Sequence, residues 1–186
     1  MRRSLRGRCL ASLDQRWTSL ETVIELEDDT MLEPIAVKPI GVVRSSVKEP
    51  RKGGWESLES TIIVQDRWAV ALDGLEAFSH IFVVYWMHLV SEELRETTTH
   101  VHPRGDPQIP LQGVFATRSP VRPNPIGLRV VALLERRDNV LRVRGLEAID
   151  GTPVLDLKPY LFYYDGVPES TVADWVQKAA RGSQES

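Results

Sequence analysis

Short hydrophobic runs, separated by turn-forming residues, make up most of the chain after Lys38. Runs of this length, rich in β-branched and aromatic residues, predict β-strands. A series of such strands is typical of a β-sandwich or a β-barrel, and the pattern alone leaves both open. The predicted strands are Ile40–Arg44, Thr61–Val64, His80–Met87, Leu111–Ala116, Leu128–Leu134 and Val140–Val143.

The predicted strands differ in the faces they bury. The segment Ile81–Met87 is apolar throughout, which predicts a central strand covered on both faces. The segment Leu141–Arg144 alternates hydrophobic and charged residues, so one of its faces should be in solvent. The preceding Arg137–Asn139 supplies a turn, and Asp156 and Lys158, two apart in an extended segment, share a face and can form an ion pair.

The two ends of the chain depart from this pattern. Hydrophobic residues from Leu10 to Ile24 recur at three- and four-residue intervals and predict an amphipathic helix. The alternative is that this segment is dispensable or precedes the natural start, since Met31 lies just before the first strand. Ser170 or Thr171 can cap a terminal helix. The expected organisation is an N-terminal extension over 1–33, a β-domain over 34–168, and a helix and tail over 169–186.

Length and charge limit the function classes. A chain of 186 residues is long enough for one domain with a sizeable core. Its net charge of -3 argues against sequence-blind adhesion to nucleic acid, so any RNA contact must come from a local basic patch. The single cysteine, Cys9, excludes an internal disulfide and a zinc site built from several thiolates.

The chain carries no signal for a membrane or for secretion. Its longest apolar run is far shorter than the ~20 residues of a membrane-spanning helix. The basic start MRRSLRGR is not followed by the apolar stretch of a secretory signal. These features predict a cytoplasmic protein without membrane contact.

The segment Gly113–Leu128 (GVFATRSPVRPNPIGL) is the most constrained part of the sequence. Its prolines hold an extended, stiff backbone, which fixes the directions of Arg118, Arg122 and Asn124. An arginine on a rigid loop is well suited to bind a carboxylate or a phosphate through two parallel hydrogen bonds. The alternative for Arg118 is an internal ion pair with a carboxylate such as Asp150 or Asp156.

The histidines leave one binding site to consider. His88, at the end of the predicted central strand, is placed for a ligand contact or is a satisfied core histidine, and both remain open. His100 and His102 form a pair that can bind zinc or iron, but no third ligand stands at a fixed spacing, so no metal site is expected. No glycine-rich dinucleotide or phosphate loop is present, so a nucleotide-like cofactor requires another fold.

Three segments resemble the characteristic motifs of the TsaA-like family, whose members are also called TrmO, VirR or YaeB. They occur in the family's order, with the long TRSPVRPNPIGL string as the most specific part, and the opening IGVVRS at Ile40–Ser45 also fits. The three segments are GLEAFSH at Gly74–His80, GVFATRSPVRPNPIGL at Gly113–Leu128 and DGTPVLDLKPYL at Asp150–Leu161.

This resemblance implies a compact antiparallel β-barrel that forms a homodimer, with the site near the subunit interface, and binds S-adenosyl-L-methionine. It implies methylation of N6 of threonylcarbamoyl-adenosine 37 in tRNA. Carried over by position, the cofactor-binding residues are Arg51, Lys52, Gly53, His88, Leu89, Arg118, Leu146, Asp150, Gly151, Thr152 and Pro153.

Catalysis is expected to depend mainly on alignment of the acceptor nitrogen with the methyl group. Acceptors for the adenine N–H groups would favour attack, and Asn124 before Pro125 offers its side-chain oxygen or nearby carbonyls. Arg118 and Arg122 would hold the cofactor carboxylate, the carboxylate of the modified nucleoside or RNA phosphates. Asn124 and Arg122 are therefore the candidate catalytic residues.

Some features depart from the family pattern. Arg51-Lys52-Gly53-Gly54 stands where relatives often carry Arg-Gln-Pro-Gly, and Leu89 replaces a frequent glutamine. We expect the chain to lack the additional C-terminal domain of longer bacterial members. If that domain grips tRNA, the expected consequences are weaker tRNA binding, a different RNA surface or another substrate. The alternatives are a methyltransferase for a small molecule and a non-catalytic S-adenosylmethionine-binding regulator.

Overall fold

A computed structural model describes residues 35–177 of the chain. Six strands close into an antiparallel barrel in the order β1, β2, β7, β6, β3 and β8. A two-stranded sheet, β4 with β5, lies outside the barrel. The strands are β1 Gly41–Arg44, β2 Glu59–Val64, β3 His80–Trp86, β4 His100–Val101, β5 Gln112–Gly113, β6 Ile126–Arg137, β7 Val140–Arg144 and β8 Pro153–Pro159.

Few helices interrupt the strands. Helix α1 spans Glu92–Thr97, where the Ser91 side chain accepts a hydrogen bond from the Leu94 N–H, and α2 spans Phe162–Asp165. Short 3₁₀ helices span Asp66–Leu72, Leu75–Ala77, Pro103–Gly105 and Val114–Ala116. None of the helices among residues 35–177 is long and apolar enough to cross a membrane.

Strand alternation builds the core. Side chains at every second position of the barrel strands point inward, and the innermost are almost completely buried. The alternation predicted for β7 is confirmed, since Leu141 and Val143 are buried and Arg142 and Arg144 are exposed. The most buried of these hydrophobic residues are Val43, Ile62, Val64, Ile81, Val83, Val131, Leu141, Val143 and Val154.

The structure confirms the barrel and corrects several predicted elements. The predicted strand Leu111–Ala116 is a two-residue strand followed by a 3₁₀ turn. The strand β8 carries Pro153 and Pro159 at its two ends, and its ion pair Lys158–Asp156 is confirmed at 2.7 Å. Residues 174–177 are helical, whereas the predicted helix within 1–33 lies outside the described residues.

Antiparallel pairing gives the barrel two distinct ends. We call "mouth" the end at which β1, β3 and β7 finish and β2, β6 and β8 begin, and "base" the opposite end. A register shift between Val84 and Tyr85 in the β3–β8 pair lies near the mouth. Such bulges redirect side chains, here at Tyr85 near the mouth.

Candidate functional site

A cavity of about 370 Å³ opens at the mouth of the barrel. This volume lies within the usual range of small-molecule sites. The walls come from the end of β3 and the start of β6, together with the connections that precede β2, follow β3, precede β6 and join β7 to β8. The lining residues are Pro50, Arg51, Trp55, Tyr85, Met87, His88, Leu89, Val90, Arg118, Pro120, Arg122, Ile126, Gly127, Leu128, Arg129, Glu147, Ala148, Ile149 and Thr152.

Gly127 and Tyr85 form the floor of the cavity. The two residues face each other in the register of β6 and β3, and a Cβ atom on Gly127 would lie 2.3 Å from the tyrosine ring. Glycine at this position therefore lets the ring lie flat against the strand. The Tyr85 hydroxyl donates to the Glu147 carbonyl at 2.8 Å, which fixes the ring.

Electrostatics at the floor favour the neutral phenol. Burial, followed by the nearby Glu147 carboxylate, raises the pKa of Tyr85 to about 12. The positive charges of Arg129 and Arg118 oppose that rise in the pKa. Tyr85 is therefore a hydrogen-bond donor at neutral pH and a poor general base.

Two buried polar atoms of the cavity wall have no partner among the described residues. Trp55 Nε1 and His88 Nδ1 are inaccessible to solvent and make no hydrogen bond within residues 35–177. A buried polar atom left unpaired costs about 1–3 kcal/mol, and such atoms are rare in folded proteins. The alternative that His88 is a satisfied core histidine is therefore wrong, and both atoms are available to a ligand.

The loop at 114–125 presents one free arginine and one that holds the loop. Arg118 makes no hydrogen bond or ion pair within the described part of the chain, and its predicted alternative partners are paired elsewhere, Asp150 with Lys48 and Asp156 with Lys158. The internal-ion-pair interpretation of Arg118 is therefore wrong. Its guanidinium is free to bind an anion in the cavity.

Arg122 is committed to backbone carbonyls. Its Nε donates to the Ser119 carbonyl at 2.8 Å, and its Nη2 donates to the carbonyls of Val114 at 2.9 Å and Thr117 at 2.5 Å. These bonds fold the proline-rich loop against its own start. Arg122 lines the cavity, but its bonding makes it a positioning residue that holds the loop on which Arg118 lies.

The predicted site residues fall into two groups. Arg51, His88, Leu89, Arg118, Arg122 and Thr152 lie together on the cavity wall. Asn124 is exposed just outside the wall, and its carbonyl accepts from the Ile126 N–H at 2.7 Å. The structure does not bring Lys52, Gly53, Leu146, Asp150, Gly151 or Pro153 onto this wall; Leu146 is a core residue and Asp150 faces a neighbouring groove.

Several wall residues escaped prediction from the sequence. Trp55, 5% exposed, stacks under the Arg51 guanidinium at 4.8 Å from its ring centroid. Arg129 and Glu147 form a loose ion pair at 3.8 Å beside the Tyr85 hydroxyl. The signal for Tyr85 was present, because a tyrosine in a buried strand needs a partner for its hydroxyl.

The chain is similar to proteins of one family. Residues 42–166 match the family model described as the tRNA-methyltransferase O N-terminal domain. A probable S-adenosyl-L-methionine-binding protein of Methanothermobacter thermautotrophicus is 49% identical over 130 residues, which cover 68% of this chain and 90% of that protein.

Two further relatives extend the comparison. The tRNA (adenine(37)-N6)-methyltransferase of Escherichia coli is 40% identical over 152 residues, which cover 75% of this chain but only 63% of that protein. The crystal structure of TrmO from Pseudomonas aeruginosa superposes with a TM-score of 0.60 at 32% identity, covering 76% of this chain and 62% of the other.

Proposed function

The chain belongs to the tRNA-methyltransferase O family, and we propose that it transfers a methyl group from S-adenosyl-L-methionine to N6 of an adenosine in tRNA. The observation that carries this proposal is the mouth cavity, in which Trp55 Nε1, His88 Nδ1 and the Arg118 guanidinium lack partners among the described residues. A ligand with a carboxylate and several polar atoms fits this donor set.

Different residues of the cavity wall would bind different groups of the cofactor. Arg118 would bind its carboxylate, Trp55 and His88 would donate to its polar atoms, and Leu89 and Leu128 would shield it from water. Bound there, S-adenosylmethionine supplies an electrophilic methyl group. The chain's own contribution is then orientation of the acceptor nitrogen, which accounts for much of the acceleration in such transfers.

Asn124 is proposed to orient the acceptor base. Its side chain is exposed beside the cavity entrance, two residues before Ile126 on the wall. Its side-chain oxygen would accept from the exocyclic N–H, while Arg122 keeps the loop in place through its three carbonyl bonds. The specific acceptor that we propose is threonylcarbamoyl-adenosine 37 of tRNA. The proposed location of the enzyme is the cytoplasm.

A homodimer would complete the site. Apolar side chains at and near the cavity rim are unusually exposed, with Leu89 at 59%, Leu128 at 53% and Phe115 at 81%. Exposed apolar side chains beside a binding site are a feature of protein interfaces. Sedimentation of the protein with and without S-adenosylmethionine tests whether a dimer covers it.

Calorimetric titration with S-adenosylmethionine tests the cofactor assignment. Arg118→Ala should weaken binding by about 10- to 100-fold, because a charge-assisted hydrogen bond contributes about 1.5–3 kcal/mol. Arg67→Ala, which removes an exposed arginine at the base, should bind like wild type. Equal affinity of all three proteins would contradict this role of Arg118.

A methylation assay tests the substrate. Bulk tRNA from cells with and without the threonylcarbamoyl modification would be incubated with the protein and S-adenosylmethionine, and its nucleosides analysed by mass spectrometry. Methylation of only the modified tRNA supports the specific acceptor proposed. Tight cofactor binding with no transfer to either tRNA would favour a regulator, the function named for several relatives being S-adenosylmethionine binding alone.

A further inference from the structure

A second concavity, of about 480 Å³, lies at the same end of the barrel as the cofactor cavity. Its walls come from the end of β1, the start of β2 and the end of β7, all of which meet at the mouth. The turn at 149–152 separates the two, since Ile149 and Thr152 line the cavity and Asp150 lines the groove. A ligand that extends out of the cavity can therefore reach this groove across a single turn.

Cations and hydroxyls dominate the outer face of the groove. The strand register places Arg44, Thr61 and Arg142 side by side in one row across β1, β2 and β7. Neighbouring strands lie ~4.8 Å apart, so the two arginines flank the threonine hydroxyl from backbones about 10 Å apart. Lys48 adds a third positive charge to the groove.

The acidic residues of the groove leave these cations available. Arg44 lies 3.9 Å from Asp150, and Arg142 lies 3.8 Å from Glu59 and 3.6 Å from Glu135 of β6. The side chains of Arg44, Lys48 and Arg142 are all more than half exposed. Exposed pairs at such separations hold their partners weakly. Only Lys48 contacts Asp150 closely, at 2.8 Å, and this bond, followed by one from the Ser45 N–H, lowers the pKa of the Asp150 carboxyl.

The positive surface continues beyond the groove. Arg144, at the end of β7, is exposed and has no hydrogen bond or ion pair within residues 35–177. It follows Arg142 on the same face of the strand. In a chain whose net charge is -3, this is a local cluster of the kind that phosphate recognition requires.

We propose that this groove binds backbone phosphates of the RNA substrate, with Arg44 and Arg142 as the main contacts, so that a nucleotide can enter the adjacent cavity. The inference rests on the proposed function and names the surface by which the barrel holds tRNA. Phosphate contacts fix the position of a nucleic acid without reading its sequence. The groove therefore determines the affinity for tRNA and its position on the barrel, and methyl transfer takes place in the cavity.

The test compares the affinity of wild type and of the double variant Arg44→Gln/Arg142→Gln for bulk tRNA. Fluorescence anisotropy measures the affinity at a series of salt concentrations. The double variant should bind about tenfold more weakly, and its plot of log K against log salt should be shallower by about 1.4 to 1.8, or about 0.7 to 0.9 for each lost contact. Titration with S-adenosylmethionine should be unchanged. Arg67→Gln, a matched loss of charge at the base, should behave as wild type.

A second variant, expected to raise the affinity for tRNA, distinguishes a loss of phosphate contacts from a folding defect. Glu59→Gln removes the carboxylate that lines the groove 3.8 Å from Arg142 and leaves Glu135 in place, so tRNA should bind about threefold more tightly. If the double variant keeps the wild-type salt slope and Glu59→Gln keeps the wild-type affinity, the groove does not bind RNA phosphates. This conclusion would hold even if the enzyme methylates tRNA. If tRNA binding depends on the groove but no methyl group is transferred, the phosphate-binding role of the groove is supported and the proposed methyltransferase function is contradicted.

Discussion

The two ends of the barrel differ in how far their polar groups are satisfied. At the base, Arg136 donates to Asp73 at 2.7 Å and to Glu76 at 3.0 Å, and the Asn139 side chain donates to the Val64 carbonyl at 2.7 Å. At the mouth, Trp55 Nε1, His88 Nδ1 and Ser60 Oγ are buried without a partner, and Arg118 and Arg144 make no hydrogen bond or ion pair among the described residues. The base is built for stability, whereas the mouth keeps polar groups for a ligand at a cost to stability.

Backbone geometry shows the same difference. At the base, the turn between β6 and β7 is only two residues long, with Asp138 at a φ of 52°. At the mouth, long connections carry the glycines Gly53 and Gly54 at φ of 74° and 71° and the proline-rich loop. Loops positioned by a rigid scaffold are the usual carriers of binding sites.

The largest effect is expected from crowding the floor of the cavity. Gly127→Ala places a methyl group 2.3 Å from the Tyr85 ring, so the ring or the strand must move. Overpacking of this kind lowers the free energy of unfolding by about 1–3 kcal/mol, and the displaced ring should also abolish S-adenosylmethionine binding. Urea denaturation and calorimetric titration measure the two effects.

Gly113→Ala is the matched control for this crowding. No atom lies within 4 Å of the added methyl group, and the backbone at Gly113 suits any residue. Its free energy of unfolding should stay within about 0.5 kcal/mol of wild type. Equal stability of the two alanine variants would show that the Tyr85 ring adapts freely.

Sequence reasoning predicted most of the fold because strand patterns are local. Alternation identified β7, and the apolar run identified β3, whose outer face is only half-buried because it lines the outside of a closed barrel. The sequence predicted an extended segment but no strand at β8, since the Asp150-Gly151 pair just before it resembles an ordinary turn. Its pairing with β1 and β3 depends on partners more than 60 positions away along the chain.

The candidate site was only partly predictable. Proline stiffening correctly drew attention to the loop that presents Arg118, but no local signal distinguishes Arg118 from Arg122, whose guanidinium is bound by three carbonyls of its own loop. Asp150 stands next to the cavity in sequence yet faces the groove, because the turn at 149–152 directs alternate side chains to opposite sides. Such directions are set by the closed barrel and not by the motif.

A smaller effect, confined to stability, is expected at the base. Arg136→Ala removes the hydrogen bonds to Asp73 and Glu76 and leaves both 3₁₀ segments less firmly attached to β6. The melting temperature should fall by about 2–4 °C, a typical response of a domain of this size to one lost network. Binding of S-adenosylmethionine should be unchanged.

Arg137→Ala controls for the loss of an arginine at this end. Its side chain is 78% exposed, and its only ion pair among the described residues is with Glu135, so its removal should shift the melting temperature by less than about 1 °C. A loss of cofactor affinity in Arg136→Ala would mean that the two ends are energetically coupled and that the contrast between them is incomplete.

The smallest effect on stability, and the sharpest separation of the two roles, is expected from Trp55→Phe. The substitution removes a buried indole N–H that has no partner in the described structure and keeps an aromatic ring under Arg51. Loss of packing volume and relief of the unpaired donor oppose each other, so the free energy of unfolding should change by less than about 1 kcal/mol. Calorimetric titration should nevertheless show S-adenosylmethionine affinity lowered by about fivefold, as expected for one lost neutral hydrogen bond of about 1 kcal/mol. If Trp55→Phe binds the cofactor as tightly as wild type, the unpaired indole is not a contact for that ligand, and the cavity's donor set reduces to His88 and Arg118.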